Sequence, residues 1–387
     1  MMKKKIGIIG FKSISGGNIV ILEYATRMLE RGNFEVFVII KKEFQDSDFE
    51  WFPAAAKVHK ISYHSAKDIL FDAVIATSWD TCYDLEFFNA KSYLYFNQSV
   101  ESKFYSADQT NLINYAEATY TLDLNIITEA TWIKNYIFEN FGKDAVLVKN
   151  GINKINFSPF GKTQTEPNPE KVRILVEGPV KLGFKNVLKS IQIANQSRCD
   201  EIWLLTSSSE VDNLEDVDKI FSRVPYHLTG EIYRSCDILL KLSTVEGMFG
   251  PPLEMFHCGG TAITYNVTGH DEYMVNNVNS LIADIDDDHS VLNYINKLVD
   301  DKAELQRLKA NARKTADSWP DWDEAVVSFE KAIENAIENP STTRKALQNK
   351  IKILKYFSEK NKEFDKISLY KGYRIHHYIR NLLGLKN

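Results

Sequence analysis

Short apolar runs, each closed by a polar or glycine-bearing turn and followed by a helical pattern, recur along this chain in two series. Residues 5–10 read as a buried strand, 13–18 as a flexible turn, 19–30 as a helix and 34–40 as a second strand. Strands at 72–77, 92–96, 125–128 and 145–149 continue the first series. The 161–170 segment, rich in Gly, Pro, Thr and Asn, breaks it as a linker. The pattern restarts at 172–176, with strands at 201–205, 238–242 and 261–265. Residues 226–230 read as a short strand and turn. Strands alternating with helices predict parallel sheets covered by helices on both faces. The expected class is therefore α/β, with two Rossmann-like doubly wound domains facing a cleft. The domains span 1–160 and 171–320, a helix over 321–340 crosses back, and 341–387 forms a helical tail.

One stretch of the second series carries chemistry. The run Ser243-Thr-Val-Glu246-Gly247-Met248-Phe249-Gly250-Pro251-Pro252-Leu-Glu254 leads from a buried strand into a helix whose first turn contains two prolines. Backbone N–H groups at such a turn form an anion site. Glu246 and Glu254, eight positions apart, are poor phosphate ligands and suit acceptance of hydrogen bonds from hydroxyls. Donors for phosphate beside acceptors for sugars match a nucleotide-sugar. The competing reading is that Glu246 ends a strand and Glu254 is a solvated helix residue.

Glu246-Gly…Glu254 followed by Gly259-Gly260 resembles the E-x7-E signature of family 4 retaining glycosyltransferases on the GT-B fold. Pro251-Pro252-Leu253-Glu254-Met255 resembles a branch that includes bacterial surface-glycan rhamnosyltransferases. The family core reads E-G-F-G-x-P, so Met248 and Phe249 stand where Phe and Gly are usual. The resemblance implies that Glu246 holds the donor sugar and takes part in catalysis, Glu254 holds the ribose hydroxyls, and Gly247, Met248 and Phe249 line the phosphates. It implies that Lys185 stabilises the departing diphosphate. Pro179 falls near the position of a family Arg, which leaves Lys181 as its substitute. Gly16 and Gly17 occupy the family's glycine-rich loop. Ser78-Trp79-Asp80-Thr81 and Gln98-Ser-Val-Glu101 resemble acceptor-side patterns, with Trp79, Gln98 and Glu101 the candidates; core packing for Trp79 and helix capping for Gln98 and Glu101 compete. Asn150-Gly151-Ile152-Asn153, with Phe157-Ser158-Pro159, resembles the family's inter-domain junction.

The implied activity is sugar transfer from a nucleotide-sugar donor to a cell-surface glycan, including lipid-linked acceptors. A GT-B-type nucleotide-sugar epimerase and a non-catalytic scaffold are the rivals. Neither cofactor nor metal is expected, because the Asp284–Asp288 acids precede a helix start, where they favour the positive end of its dipole. A net charge of −5 argues against nucleic acid as a partner. Four scattered cysteines without a C-x-x-C pair fit a reducing compartment, and the expected location is cytoplasmic. The tail from 341 carries twelve Lys and Arg against three acids, a net of +9, leaving −14 elsewhere. Ile375, Tyr378, Ile379, Leu382 and Leu383 fall on one helical stripe. The tail therefore either docks peripherally on an anionic membrane at its inner face or packs on the first domain.

Overall fold

The structure, a computed structural model, describes residues 3–371 other than 210, 212, 213 and 215, with side chains as far as residue 362. The predicted stripe from Ile375 to Leu383 lies outside the described residues.

In the first half the strands are β1 (Lys4–Gly10), β2 (Phe34–Ile40), β3 (His59–Ser62), β4 (Leu70–Ala76), β5 (Asn89–Asn97), β6 (Asn125–Thr128) and β7 (Ala145–Leu147). They form a 7-stranded parallel sheet in the order β3-β2-β1-β4-β5-β6-β7. In register, Ile6 faces Val36 on one side and Ala73 on the other. The second half supplies β8 (Arg173–Glu177), β9 (Glu201–Thr206), β10 (Lys219–Ser222), β11 (Ile238–Lys241), β12 (Thr261–Tyr265) and β13 (Leu281–Ala283). These make a 6-stranded parallel sheet in the order β10-β9-β8-β11-β12-β13. Both sheets are buried on their two faces, which is why their strands read as near-continuous apolar runs rather than alternating ones. In each sheet the order reverses beside the first strand, between β1 and β4 and between β8 and β11. Open α/β sheets bind ligands at the C-terminal ends of strands at such points.

Local details correct two expectations. Helix α1 (Gly16–Arg31) begins at the glycines themselves, so the segment read as a flexible turn already contains its first turn. Ser15 caps it by accepting from the Asn18 N–H, and Gly32, at φ 74°, ends it. The 226–230 segment is helical, part of Tyr226–Tyr233, with Pro225 as its N-cap. Helix α2 (Gly250–His257) has its prolines in the first turn, as read.

The chain passes between the two sheets twice. After the 150–172 connection it returns at Trp319–Asp321 and enters α3 (Trp322–Glu338), capped by Asp321 with a reciprocal bond from Glu324. Helix α3 packs on α1 of the first sheet: Tyr24 stacks on Phe329 with centroids 4.0 Å apart, and Arg31 Nε bonds Glu330 Oε2 at 2.8 Å. The crossings lie against each other, with Ile152 bridging Asp321 and Trp319 Nε1 donating to the Asn150 carbonyl at 2.9 Å. Gly151 permits this, because a Cβ there would stand 2.3 Å from the Trp322 nitrogen.

Helix α4 (Arg344–Lys371) follows. It sets Leu347, Ile351 and Leu354 into the core of the first sheet's outer face. Lys355 Nζ bonds Glu86 at 2.6 Å, and Gln348 donates to the Glu86 carbonyl at 3.0 Å.

Candidate active site

A cavity of about 680 Å³ opens between the C-terminal edges of the two sheets. Gly16 and Gly17 line it from the first domain, where the start of α1 brings backbone close to the cleft. Gln98 and Glu101 line it from the turn after β5. From the second domain come Glu177, Lys185, Lys241, Glu246, Gly247, Met248, Phe249 and Glu254.

The floor is built at the ends of β8 and β11. Lys185 closes a short 3-10 turn, Gly183–Lys185, tied to the neighbouring strand end: the Thr244 N–H donates to the Phe184 carbonyl at 2.9 Å, and Asn186 Nδ2 to the Leu242 carbonyl at 2.9 Å. Its ammonium bonds both oxygens of Glu246, at 2.8 and 2.7 Å. Lys241, the last residue of β11, bonds Glu177 Oε2 at 2.6 Å and lies 3.8 Å from Glu246 Oε1. Burial opposes charge on Glu246, but Lys185 and Lys241 outweigh it and hold the carboxyl below its usual range. Burial lowers Lys185 in turn, against the pull of Glu246.

The loop that presents Glu246 is gripped from two sides. Thr268 Oγ1 accepts from the Glu246 N–H at 3.2 Å and donates to its carbonyl at 2.9 Å. Gly269, at φ 81°, packs against Gly247, where a Cβ would meet the Gly247 carbonyl oxygen at 1.9 Å. The first domain supplies the other grip: Glu129 Oε1 accepts from the Met248 N–H at 3.1 Å, and Trp132 Nε1 donates to the Gly247 carbonyl at 2.9 Å. Glu129 also accepts from Asn150 Nδ2 at 2.6 Å, and burial pushes its carboxyl up to about 7. Nearer the mouth, Phe104 of the first domain stacks on Phe184 of the second with centroids 4.9 Å apart.

Phe249, where the resembled family has Gly, adopts φ 58° and ψ 56°, the left-handed conformation that glycine enters at no steric cost. Its fully buried ring and a hydrogen bond from Tyr273 Oη to its carbonyl hold it there. The loop thus keeps its backbone shape with a side chain in place of the usual glycine.

Glu254 lies on α2, half-buried, and hydrogen-bonds Tyr233. Burial, then the nearby Glu177 charge, pushes its carboxyl up to about 8. Leu205, Thr206, Arg223, Tyr226 and Thr229 line the cavity beyond it.

Two sequence-predicted residues fall outside this assembly. Trp79 packs among Tyr83, Tyr105 and Tyr115, and its Nε1 donates to Tyr105 Oη at 3.0 Å. Lys181 is exposed and does not line the cavity. Glu101 lines the cavity but caps the helix after β4, Oε2 accepting from the Trp79 N–H at 2.6 Å and from Tyr95 Oη at 3.0 Å. Burial pushes it up to about 8. Gln98 touches the start of α1: its Oε1, buried without a hydrogen-bond partner, would lie 3.3 Å from a Cβ on Gly17. His270 bonds the Val267 carbonyl through Nδ1 at 2.6 Å. Asp287 accepts from the Ser290 N–H and caps the helix Asp288–Asp300. Among the described residues no group of three or more His, Cys, Asp or Glu side chains is placed to hold a metal ion.

Sequence reasoning missed Lys241, Glu129 and Tyr233 as site residues. A lysine closing an apolar run was a signal for the first; Glu129 and Tyr233 carried none.

Residues 205–315 match the family described as glycosyl transferases group 1. Over 280 residues the chain is 24% identical to the O-antigen biosynthesis protein RfbC of Myxococcus xanthus, covering 70% of this chain and 21% of that relative. The chain therefore spans about a fifth of that protein's length. Among solved structures, sucrose-phosphate synthase from Thermosynechococcus elongatus superposes with a TM-score of 0.70 at 15% identity, covering 87% of this chain and 100% of that one. Anabaena HepE in complex with UDP-glucose gives 0.68 at 13% identity, again covering 87% and 100%. The fold is GT-B, and residues 205–315 within its second half match the group 1 glycosyl transferases.

Proposed function

We propose that this GT-B chain, with its group 1 glycosyltransferase domain, is a family 4-type retaining glycosyltransferase that moves a hexose from a nucleotide-sugar to a growing cell-surface glycan. Rhamnose is the leading donor sugar and a lipid-linked chain the leading acceptor. The observation that carries this reading is the buried Glu246 carboxylate, set between Lys185 and Lys241 on the cavity floor. RfbC, named for O-antigen biosynthesis, and HepE, solved with UDP-glucose, agree with it.

In this reading the base lies among Leu205, Thr206 and Tyr226, and Glu254 accepts from the ribose hydroxyls. The diphosphate lies over the start of α2, where the Gly250 N–H and the helix dipole favour negative charge, Pro251 and Pro252 carrying no N–H. As the glycosidic bond to the diphosphate breaks, negative charge grows on the leaving oxygen, and Lys185, turning from Glu246 to the phosphate, offsets it. Glu246 accepts from donor-sugar hydroxyls. The acceptor enters from the first-domain side, past Gly17 and Gln98. Work on the cytoplasmic side suits an acceptor held at the membrane. No described helix is long and apolar enough to cross a membrane. Surface contact through the basic tail is part of this proposal.

The test is a thermal-shift and calorimetry panel of dTDP-, UDP-, GDP- and CMP-sugars, followed by product analysis with and without a lipid-linked acceptor and with EDTA. One donor class stabilising the chain, with acceptor-dependent transfer that survives EDTA, is the expected result. Absence of nucleotide binding refutes the reading. An altered nucleotide-sugar released without acceptor makes the protein an epimerase, and activity lost to EDTA and restored by Mg²⁺ or Mn²⁺ overturns metal independence.

A further inference from the structure

Lys241 is a charged side chain inside a parallel sheet. Strand β11 runs between β8 and β12, Lys241 is 3% exposed, and Ile238, Leu239 and Leu240 before it are fully buried. Buried ammonium groups persist where anions compensate them. Its nearest partner is Glu177, at 2.6 Å through Oε2 and 3.2 Å through the carbonyl, and Glu246 Oε1 stands farther off at 3.8 Å. Glu246 therefore has two cations of different kinds. Lys185 makes the close bonds, at 2.8 and 2.7 Å, from a short turn at the cavity edge, whereas Lys241 is fixed by the sheet.

A diphosphate entering this cavity competes with Glu246 for Lys185. With no second cation, a carboxylate only 8% exposed would lose its compensating charge and take up a proton. A protonated Glu246 could no longer serve as a full acceptor for sugar hydroxyls. We infer that Lys241 is a positioning residue that keeps Glu246 ionised once the donor diphosphate has drawn Lys185 away. The turn lysine follows the phosphate, and the strand lysine stays with the carboxylate. The inference rests on the donor-binding reading above. The other titratable groups facing this pair are Glu177 on β8, Glu129 at the end of β6, Glu254 on α2 and Tyr273.

The test uses the full chain and UDP, dTDP and GDP as probes. Proton uptake on binding is measured near neutral pH by calorimetry in buffers of different ionisation enthalpy. Lys241→Met is expected to take up about one proton more per nucleotide than the wild type. That extra uptake should vanish in Lys241→Met/Glu246→Gln, which assigns it to Glu246 rather than Glu254. Unchanged uptake in Lys241→Met overturns this inference and leaves the donor reading standing. A wild type that binds none of the probes overturns both. Lys241→Gln, which retains a donor toward Glu177, repeats the measurement if the methionine variant does not fold. Should neither variant fold or bind, infrared difference spectra of wild type against Glu246→Gln decide. A protonated-carboxyl band from Glu246 in the nucleotide complex refutes the inference, and its absence supports it.

Discussion

Replacing Glu254 by Gln tests the ribose assignment through its pH dependence. Burial has pushed the Glu254 carboxyl up to about 8, so in the empty site it is mostly protonated at neutral pH. Two ribose hydroxyls hydrogen-bond better to a carboxylate than to an acid, and a charged bond contributes about 1.5–3 kcal/mol. Taking the lower value for the net preference, the ionised site binds the ribose about tenfold more tightly, which moves the carboxyl down by about one unit in the complex. Donor affinity of the wild type should then rise about tenfold between about pH 6 and about pH 9. Glu254→Gln keeps the shape but cannot ionise, so it should match the wild type at the acid end and fall about tenfold behind at the alkaline end. The assay is calorimetric titration with an intact nucleotide-sugar, whose diphosphate does not titrate in this range. An equal loss at both ends, or none at either, refutes the assignment.

Phe249→Gly relieves a left-handed backbone at about 1–2 kcal/mol but deletes a fully buried ring worth about 3–5 kcal/mol. A net loss of about 1–4 kcal/mol in urea unfolding is expected, and a stabilised variant would contradict this account. Glu101, also pushed up to about 8 by burial, holds in the folded state a proton that the unfolded chain releases near 4.5. Its contribution to stability therefore falls as pH rises from 4.5 toward 8. Glu101→Gln can still accept from Trp79 and Tyr95, so it should gain on the wild type at pH 8 relative to pH 5; equal differences at both would count against the burial argument. Truncation after Pro340 removes Leu347, Ile351 and Leu354 from the first domain's core and should lower the melting temperature. Sedimentation of the full chain with anionic vesicles at low salt tests the basic tail separately; failure to sediment ends the membrane proposal.

The two-sheet plan was legible because parallel strands buried on both faces announce themselves as apolar runs, and β1, β7, β8 and β12 lie where such runs were read; the short β3, β10 and β13 were not read. The Glu246–Glu254 pair was legible through its fixed spacing along one loop and helix. Contacts made across the cleft were not. Glu129 reaches Met248 over 119 positions, and Trp132 reaches Gly247 over 115, separations that no local pattern records. Trp79 was an acceptor-side candidate with core packing as its rival, and its ring packs against three tyrosines. Residues 226–230 looked like strand and turn because Pro225 and Gly230 bracket them. Pro225 caps a helix instead, and Gly230 lies inside it, where a Cβ would strike the Asn156 carbonyl oxygen at 2.1 Å.

The side-by-side crossings at Gly151 and Asp321 work as a two-ply strap. A single linker lets two bodies swivel, slide and bend; two connections pinned together by the Ile152–Asp321 bridge and the Trp319–Asn150 bond resist the first two and leave bending about one line. That line lies along one wall of the cavity, which Asn150, Gly151, Ile152 and Trp322 help to line. Opening such a cleft moves the far lip, where Phe104 meets Phe184, much more than the wall at the strap. A protease cut in either crossing alone would leave the halves joined by the other, so nicking the 161–170 segment should yield two fragments that still travel as one particle.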